Sequence, residues 1–374
     1  MTAIAPAPSR SPRGAPLDIV ILGLSITSSW GNGHATTYRG LVRELSARGH
    51  RVLFLERDVP WYADNRDLAD PPYCELALYH SVGELHRRFA APIRHADVVI
   101  VGSYVADGVA IGEWITRIAQ GVTAFYDIDT PVTLARLATG EVEYITLELI
   151  RQYDLYLSFT GGPTLDRIER VLGSPCARAL YCSFDPDLYH PESRAIKWDL
   201  AYMGTYSADR QPTLERLLVQ PARRWRSGRF AVVGPQYPDD VRWPRNVARR
   251  AHLAPREHRA FYNAQRFALN VTRADMVAAG YSPSVRLFEA AACGTPIISD
   301  EWPGLDELFT PNEEILMART ADDVLHVLRE LPEEERIAIG QRARARVLAD
   351  HTASHRAAEL EQYVRSVAAG TAVA

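Results

Sequence analysis

Short apolar runs of strand length alternate with longer stretches of helical periodicity along most of the chain, and this alternation limits the folds open to it. In the first half, the strand candidates are residues 18–24, 51–55, 97–101, 122–126, 154–159 and 177–181. The helical candidates between them are residues 37–48, 82–94, 109–120 and 164–172. Strands that alternate with helices predict an α/β fold, in which a parallel sheet carries helices on both faces.

The same alternation starts again in the second half of the chain. Its strand candidates are residues 199–203, 229–233, 247–253, 267–271 and 297–298. Its helical candidates are residues 255–264, 282–293, 321–331, 334–348 and 352–367. A chain of 374 residues is long for one hydrophobic core, because domains average roughly 150 residues. Two domains are therefore expected, with one large domain as the alternative.

Composition and charge narrow the classes of partner. The residues are 47% hydrophobic and 24% charged, and the net charge of -4 gives no general attraction to nucleic acid or to anionic lipid. Because Lys197 is the one lysine, arginine supplies nearly every positive charge, and an arginine must be judged by its position. No apolar run approaches the roughly 20 residues of a membrane helix.

The cysteines and the N-terminal segment favour a cytoplasmic protein. The four cysteines, Cys74, Cys176, Cys182 and Cys293, lack the C-x2-C spacing of a metal site, and we expect them to be reduced. Residues 1–17 are rich in alanine, proline, serine and arginine and lack the apolar centre of a signal peptide. This segment is expected to be a disordered tail.

One helix in the second half carries a carboxylate among apolar residues. Ser282 has the chemistry of an N-cap, Pro283 suits the first helical position, and Gly294 can end the helix. Within it, Glu289 lies between apolar neighbours, where an unpaired charge is costly. Its partner is either Arg286, three residues earlier on the same face, or a ligand hydroxyl with a phosphate at the helix N-terminus.

Residues 280–300, followed by residues 301–309, resemble the donor-binding segment of group 1 glycosyltransferases with the GT-B fold, particularly the subgroup similar to the spore-maturation protein CgeB. The resemblance implies that Glu289 binds the ribose of a nucleotide-sugar. It also implies that the helix start, at Ser282, Ser284 and Val285, binds the diphosphate. Many relatives have another glutamate eight residues before the position of Glu289, and this chain has Tyr281 there. We keep Tyr281 among the substrate-binding positions.

The resemblance also implies the domain organisation. A GT-B protein has two Rossmann-like domains that face each other across a cleft, and residues 182–191 resemble the connection between them. We therefore expect a tail at 1–17, an acceptor-side domain at 18–183, a linker at 184–198 and a nucleotide-sugar-binding domain at 199–350. Residues 351–374 would form a C-terminal helix that packs back on the first domain.

Candidate catalytic residues follow two strands of the first half. Gly31 and Gly33 precede His34 at the carboxyl end of the first strand, where open α/β sheets bind ligands. Position 36 is threonine, so the full G-x-G-x-x-G fingerprint is absent and a Rossmann oxidoreductase is disfavoured. His34 is suited to remove a proton from an acceptor hydroxyl, or else it caps the helix or lines the cleft.

Asp127 and Asp129 form a D-x-D sequence at the end of a later strand and would point the same way if that strand continued. Asp129 is a second candidate base, or an N-cap before Thr130 and Pro131. Asp127 is interpreted as a structural residue. D-x-D binds a divalent metal in glycosyltransferases of the GT-A type, but the resemblance to GT-B predicts no metal.

The remaining binding candidates lie in the second half. Gly204 and Thr205 follow a strand and form a turn suited to face a phosphate. By resemblance, His252 and Leu253 meet the nucleobase through backbone groups. Arg273 precedes the helix that carries Glu289, and Arg286 lies within it. A guanidinium at either place can bind diphosphate oxygens, with surface solvation as the alternative. The second-half candidates are thus Gly204, Thr205, His252, Leu253, Arg273 and Arg286.

The sequence thus predicts a hexosyltransferase-like enzyme that moves a sugar from a nucleoside-diphosphate sugar to an acceptor hydroxyl, without metal or other cofactor. His34 or Asp129 would be the base of a direct displacement. The acceptor and the oligomeric state stay unassigned. Two alternatives remain open, namely a nucleotide-sugar 2-epimerase of the same fold and a non-catalytic protein that binds nucleotide-sugar or glycan.

Overall fold

The computed structural model describes residues 14–370, which form two parallel sheets. The first sheet has the strand order β3-β2-β1-β4-β5-β6-β7 and the second has the order β10-β9-β8-β11-β12-β13. The strands of the first sheet are β1 Asp18–Gly23, β2 Arg51–Arg57, β3 Glu75–Tyr79, β4 Val98–Gly102, β5 Val122–Asp127, β6 Leu155–Ser158 and β7 Ala177–Ala179. Those of the second are β8 Trp198–Met203, β9 Phe230–Val233, β10 Val247–Arg250, β11 Gln265–Asn270, β12 Ile297–Ser299 and β13 Leu316–Met317.

Helices connect the strands and cover both faces of each sheet. Around the first sheet they are α1 Gly33–Ala47, α2 Pro60–Ala63, α3 Val82–His95, α4 Gly108–Ile118, α5 Thr130–Ala138, α6 Leu147–Gln152 and α7 Pro163–Arg170. Around the second they are α8 Gln211–Leu214, a π-helical turn Glu215–Val219, α9 Gln220–Arg224, α10 Pro255–Asn263, α11 Ala274–Ala279, α12 Val285–Ala292, α13 Leu305–Leu308, α14 Ala321–Glu330 and α15 Glu333–Asp350. The last helix is α16 Ala353–Ala368. None of the helices within residues 14–370 combines the length and the apolar character needed to cross a membrane.

The central strands form because their residues are apolar on both faces. β4, with the sequence Val-Val-Ile-Val-Gly, is buried at every position, as is β5. Branched side chains suit an extended backbone, and a continuous apolar run matches a strand with helices on both sides. The core of the first domain therefore lies in two layers, one on each face of its sheet.

The strand order places a crevice in each sheet. In the first sheet the order reverses between β1 and β4, and in the second it reverses between β8 and β11. Loops leave neighbouring strands in opposite directions at such a point, so a crevice opens at the carboxyl ends of the strands. The loops after β1 and after β8 line one shared cavity, which places both crevices on the same cleft.

The chain crosses between the two sheets twice. Residues 180–197 lead from β7 to β8, and the second crossing lies between α15 and α16. α16 then packs against α1, where Arg48 Nη2 donates to the carbonyl of Ser354 at 3.1 Å. In the predicted tail, the carbonyl of Ala15 accepts a hydrogen bond from Arg365 Nη2 at 2.6 Å, while residues 1–13 lie outside the described residues.

Two predicted helix starts are wrong, since α1 begins at Gly33, four residues before the predicted start at residue 37, and α12 also differs. α12 begins at Val285 with Ser284 at the N-cap position, two residues later than the sequence indicated. Ser282 lies before the N-cap, and its hydroxyl accepts a hydrogen bond from Thr160 of the first domain at 3.0 Å. The segment before α12 is therefore shaped by the contact between the domains as well as by helix capping.

Candidate functional site

A cavity of about 310 Å³ lies between the two domains at the carboxyl ends of their strands. The first domain contributes the turn after β1 and the first turn of α1. The second contributes the loops after β8 and β9, part of α10 and the first turn of α12. The lining residues are Ser29, Gly31, Asn32, Gly33, Thr36, Met203, Gly204, Thr205, Arg210, Val233, Gly234, Pro235, His252, Leu253, Pro255, His258, Tyr262, Val285, Arg286 and Glu289.

Two helix N-termini meet at this cavity. Asn32 caps α1, since its Oδ1 accepts from the backbone N–H of His34 at 3.0 Å. At α12 the hydroxyl of Ser284 donates to Asn270 Oδ1 at 2.9 Å and does not cap the first turn. The first turns of α1 and α12, both within the described residues, carry no acidic side chain. Free N–H groups and the helix dipoles therefore favour an anion in the cavity.

Arg286 adds a fixed positive charge to this end of α12. The residue is 8% exposed, and its Nε donates to the carbonyl of Met203 at 2.6 Å while Nη1 donates to Asn270 Oδ1 at 2.8 Å. Its guanidinium carbon lies 4.6 Å from the centre of the Tyr202 ring. These partners are neutral, so they orient the guanidinium without cancelling its charge.

Arg210 is a second cation at the cavity, and the sequence interpretation missed it. Its Nη1 lies 3.3 Å from the hydroxyl of Tyr202, the same ring that faces Arg286. Its buried Nε has no hydrogen-bond partner among residues 14–370. A buried donor of this kind is costly unless a ligand meets it. The signal in the sequence was its place, six residues after Gly204 and just before α8.

Glu289 lies deeper in the same cavity, 3% exposed. Its Oε2 accepts a hydrogen bond from the hydroxyl of Tyr262 at 3.0 Å. Arg286 bonds to Met203 and Asn270. It does not form the helical ion pair with Glu289 that the sequence offered as one of two alternatives. The carboxylate has acceptor capacity left for ligand hydroxyls.

His34 and Asp129, two separate candidates in the sequence, lie side by side in the first domain, and neither is among the residues that line the cavity. His34 Nε2 is 4.0 Å from Asp129 Oδ2, which also accepts a hydrogen bond from the hydroxyl of Tyr104 at 3.1 Å. Asp129 occupies the N-cap position of α5, but its side chain makes no capping bond and instead faces Tyr104 and His34. Burial lowers the pKa of His34, and the charge of Asp129 partly opposes that shift. The imidazole is therefore neutral at pH 7 and able to accept a proton.

The two carboxylates of the D-x-D sequence do not share a direction. β5 ends at Asp127, which accepts hydrogen bonds from Tyr156 and from Thr133 and is fully buried. Burial raises the pKa of Asp127 to about 7. The condition under which the two carboxylates would point the same way is not met, because the strand ends before Asp129. Residues 14–370 contain no group of three or more His, Cys, Asp or Glu side chains placed to bind a metal ion.

The structure separates the second-half candidates into two groups. Gly204, Thr205, His252, Leu253 and Arg286 line the cavity, together with Val285 and Glu289 of α12 and with Gly31 and Gly33 of the first domain. The ring of His252 also contacts Trp30 across the cleft, with ring centres 4.7 Å apart. Arg273 instead lies 4.0 Å from the carboxylate of Asp209. Tyr281 and Ser282 contact the first domain.

One protein family matches part of this chain, mainly in the second domain. Residues 210–362 match the family model described as glycosyl transferase-like. This match contains Arg210, Arg286 and Glu289 of the cavity. No curated protein matches the sequence.

Solved structures match the whole fold. Sucrose-phosphate synthase from Thermosynechococcus elongatus is 16% identical, with a TM-score of 0.68 over 94% of this chain and 99% of that one. HepE from Anabaena in complex with UDP-glucose is 12% identical, with a TM-score of 0.69 over 93% and 99%. A putative UDP-N-acetylglucosamine 2-epimerase from Listeria monocytogenes is 12% identical, with a TM-score of 0.58 over 96% and 98%. The predicted GT-B fold, two Rossmann-like α/β domains, is confirmed.

Proposed function

We propose that this protein is a nucleotide-sugar-dependent glycosyltransferase of the CgeB-like subgroup, which moves a hexosyl group to an acceptor hydroxyl without a metal ion. The observation that carries the proposal is the composition of one cleft. Gly33 and Thr36 line it on the first-domain side, beside the His34–Asp129 pair, and two arginines with the buried carboxylate of Glu289 line it on the other. The His34–Asp129 pair suits removal of a proton, and the second set suits a nucleoside diphosphate.

The donor would bind along the second-domain wall. Its diphosphate would lie at the N-terminus of α12, where Arg286 and the unpaired Nε of Arg210 provide positive charge. Glu289 would accept hydrogen bonds from the ribose hydroxyls, and the loop at His252 and Leu253 would lie against the base. The glycosyl transferase-like match over residues 210–362 and the UDP-glucose complex of HepE support a nucleotide-sugar as the donor.

The chemistry would be a direct displacement at the anomeric carbon. The imidazole of His34 would take the proton of the acceptor hydroxyl as its oxygen bonds to that carbon, while the bond to the diphosphate oxygen breaks. Asp129 would stabilise the imidazolium, and Arg286, Arg210 and the α12 dipole would stabilise the charge of the leaving diphosphate.

The test is turnover of nucleotide-sugars by purified protein, with release of nucleoside diphosphate as the readout. His34→Ala should lower turnover by about 10²- to 10⁴-fold, as expected for loss of a general base, and should leave diphosphate affinity unchanged. The exposed His326 on α14 gives a matched control, since His326→Ala should act like wild type. Equal turnover by His34→Ala and wild type would contradict the role of His34.

The similarity to a putative 2-epimerase makes that reaction the second candidate. An epimerase would exchange the hydrogen at C2 of the sugar with solvent and would need no acceptor. Incubation in deuterated water separates the two reactions. Deuterium at C2 of recovered donor would favour the epimerase, and released diphosphate with unlabelled donor would favour the transferase.

A further inference from the structure

Tyr281 has a backbone conformation that residues with side chains seldom adopt. Its φ is 48°, in the left-handed region, and it lies between Gly280 and Ser282 in the segment that enters α12. Such a conformation persists only where the surrounding structure holds it. The contacts around Tyr281 therefore hold it in this conformation.

The ring of Tyr281 is packed between glycines of the two domains. A Cβ atom added to Gly162, in the turn before α7 of the first domain, would lie 2.5 Å from Cγ and Cδ2 of the ring. A Cβ atom added to Gly304, in the turn before α13 of the second domain, would lie 2.4 Å from Cδ1. A side chain at either position would collide with the ring, so both glycines are needed for this contact.

Backbone bonds fix the same segment from both sides. The N–H of Gly161 donates to the carbonyl of Tyr281 at 2.9 Å, and the N–H of Tyr281 donates to the carbonyl of Pro303 at 2.7 Å. Thr160 donates to the hydroxyl of Ser282 at 3.0 Å. The first domain thus holds the chain three to four residues before α12 begins at Val285.

We infer that Tyr281 is a positioning residue that couples the contact between the two domains to the anion site at the N-terminus of α12. The inference rests on the proposed function, because it assumes that a nucleoside diphosphate binds at that helix. When the domains are together, the ring is held between Gly162 and Gly304, and the segment sets the direction of the α12 N–H groups and of Arg286. When they separate, the ring loses its first-domain partner and the segment is released.

Two substitutions in the first domain isolate this contact. Gly162 and Gly140 both have positive φ, 56° and 79°, so alanine is strained at either position. A Cβ at Gly162 meets Tyr281, whereas a Cβ at Gly140 meets nothing within 4 Å. Gly162→Ala is expected to weaken nucleoside diphosphate binding at least tenfold and to speed amide hydrogen exchange in residues 280–289. Gly140→Ala should change neither.

Substitutions of Tyr281 itself supply the second comparison. Tyr281→Ala should weaken binding and speed exchange as Gly162→Ala does, and Tyr281→Phe, which keeps the ring, should restore both to near wild-type values. Equal affinity and exchange in Gly162→Ala and Gly140→Ala, or equal loss in the alanine and phenylalanine variants, would overturn the inference. If wild type binds no nucleotide, the proposed function fails, whereas the exchange rates of the free protein still test the coupling between the domains.

Discussion

Glu289→Gln tests whether the buried carboxylate of α12 holds the ribose of the donor. The residue is 3% exposed, and its Oε2 accepts from Tyr262 at 3.0 Å. Glutamine has nearly the same size and keeps one oxygen for Tyr262, so the variant should fold. It removes the negative charge and replaces one acceptor oxygen with an NH₂ donor.

The expected loss follows from the bond that is changed. A hydrogen bond to a charged group contributes about 1.5–3 kcal/mol, and a tenfold change in affinity corresponds to about 1.4 kcal/mol. Glu289→Gln should therefore weaken the binding of a nucleoside diphosphate by about 10- to 100-fold. The equivalent loss should follow when the ligand lacks a ribose hydroxyl.

The assay is titration calorimetry with a ribonucleoside diphosphate and its 2′-deoxy and 3′-deoxy analogues. Wild type should prefer the ribose form over at least one analogue, and Glu289→Gln should lose that preference, because the two changes remove the same interaction. Glu330→Gln, at the exposed end of α14, is the matched control and should keep it. Equal binding of all three ligands to wild type, or a full preference in Glu289→Gln, would refute the reasoning.

Three further predictions concern the cations and the titrating groups. Arg210→Gln should weaken diphosphate binding about tenfold or more and leave binding of the uncharged nucleoside unchanged, as calorimetry would show, because the substitution removes a positive charge from the cavity lining. The acid limb of the kcat/KM profile should lie below pH 6.5, because burial lowers the pKa of His34. Asp129→Asn should move this limb to still lower pH, because the charge of Asp129 raises the pKa of His34. A limb that does not move would contradict the pairing of His34 with Asp129. The pKa of Asp127 is raised from 3.8 to about 7, so between these values the folded state holds a proton that the unfolded state has lost. The free energy of unfolding should therefore fall as the pH rises from 3.8 through about 7, and denaturant titrations should show a flatter pH dependence in Asp127→Asn.

The parallel sheets could be predicted from sequence because their central strands are apolar on both faces. The predicted strands match β1, β2, β4, β5 and β6, with ends that differ by one or two residues. β3 was missed, because it is a half-buried edge strand without a long apolar run. The start of α12 was misplaced because Ser282 and Pro283 resemble a local cap, whereas a hydrogen bond from Thr160, 122 residues away, determines that segment.

Part of the candidate site could be predicted from local sequence patterns. Glu289 stood out because a carboxylate within an apolar helix needs a partner, and His34 because it follows a strand at a glycine-rich turn. Their arrangement depends on long-range contacts that no local pattern contains. His34 and Asp129 are 95 positions apart and meet only because β1 and β5 end at the same edge of one sheet. Arg210 was overlooked because arginine is common in this chain, and its place six residues after Gly204 was the one sequence signal.

The most direct test of the central claim is a binding panel of nucleoside diphosphates and nucleotide-sugars, read as the thermal shift of wild type and of Glu289→Gln. A ligand at 100 times its dissociation constant should stabilise the folded state by about 2.7 kcal/mol. The proposed donor site predicts that ligands with one base stabilise wild type and that most of this stabilisation is lost in Glu289→Gln. No shift with any nucleotide, or an equal shift in both proteins, would contradict the assignment of the cleft as a nucleotide-sugar site.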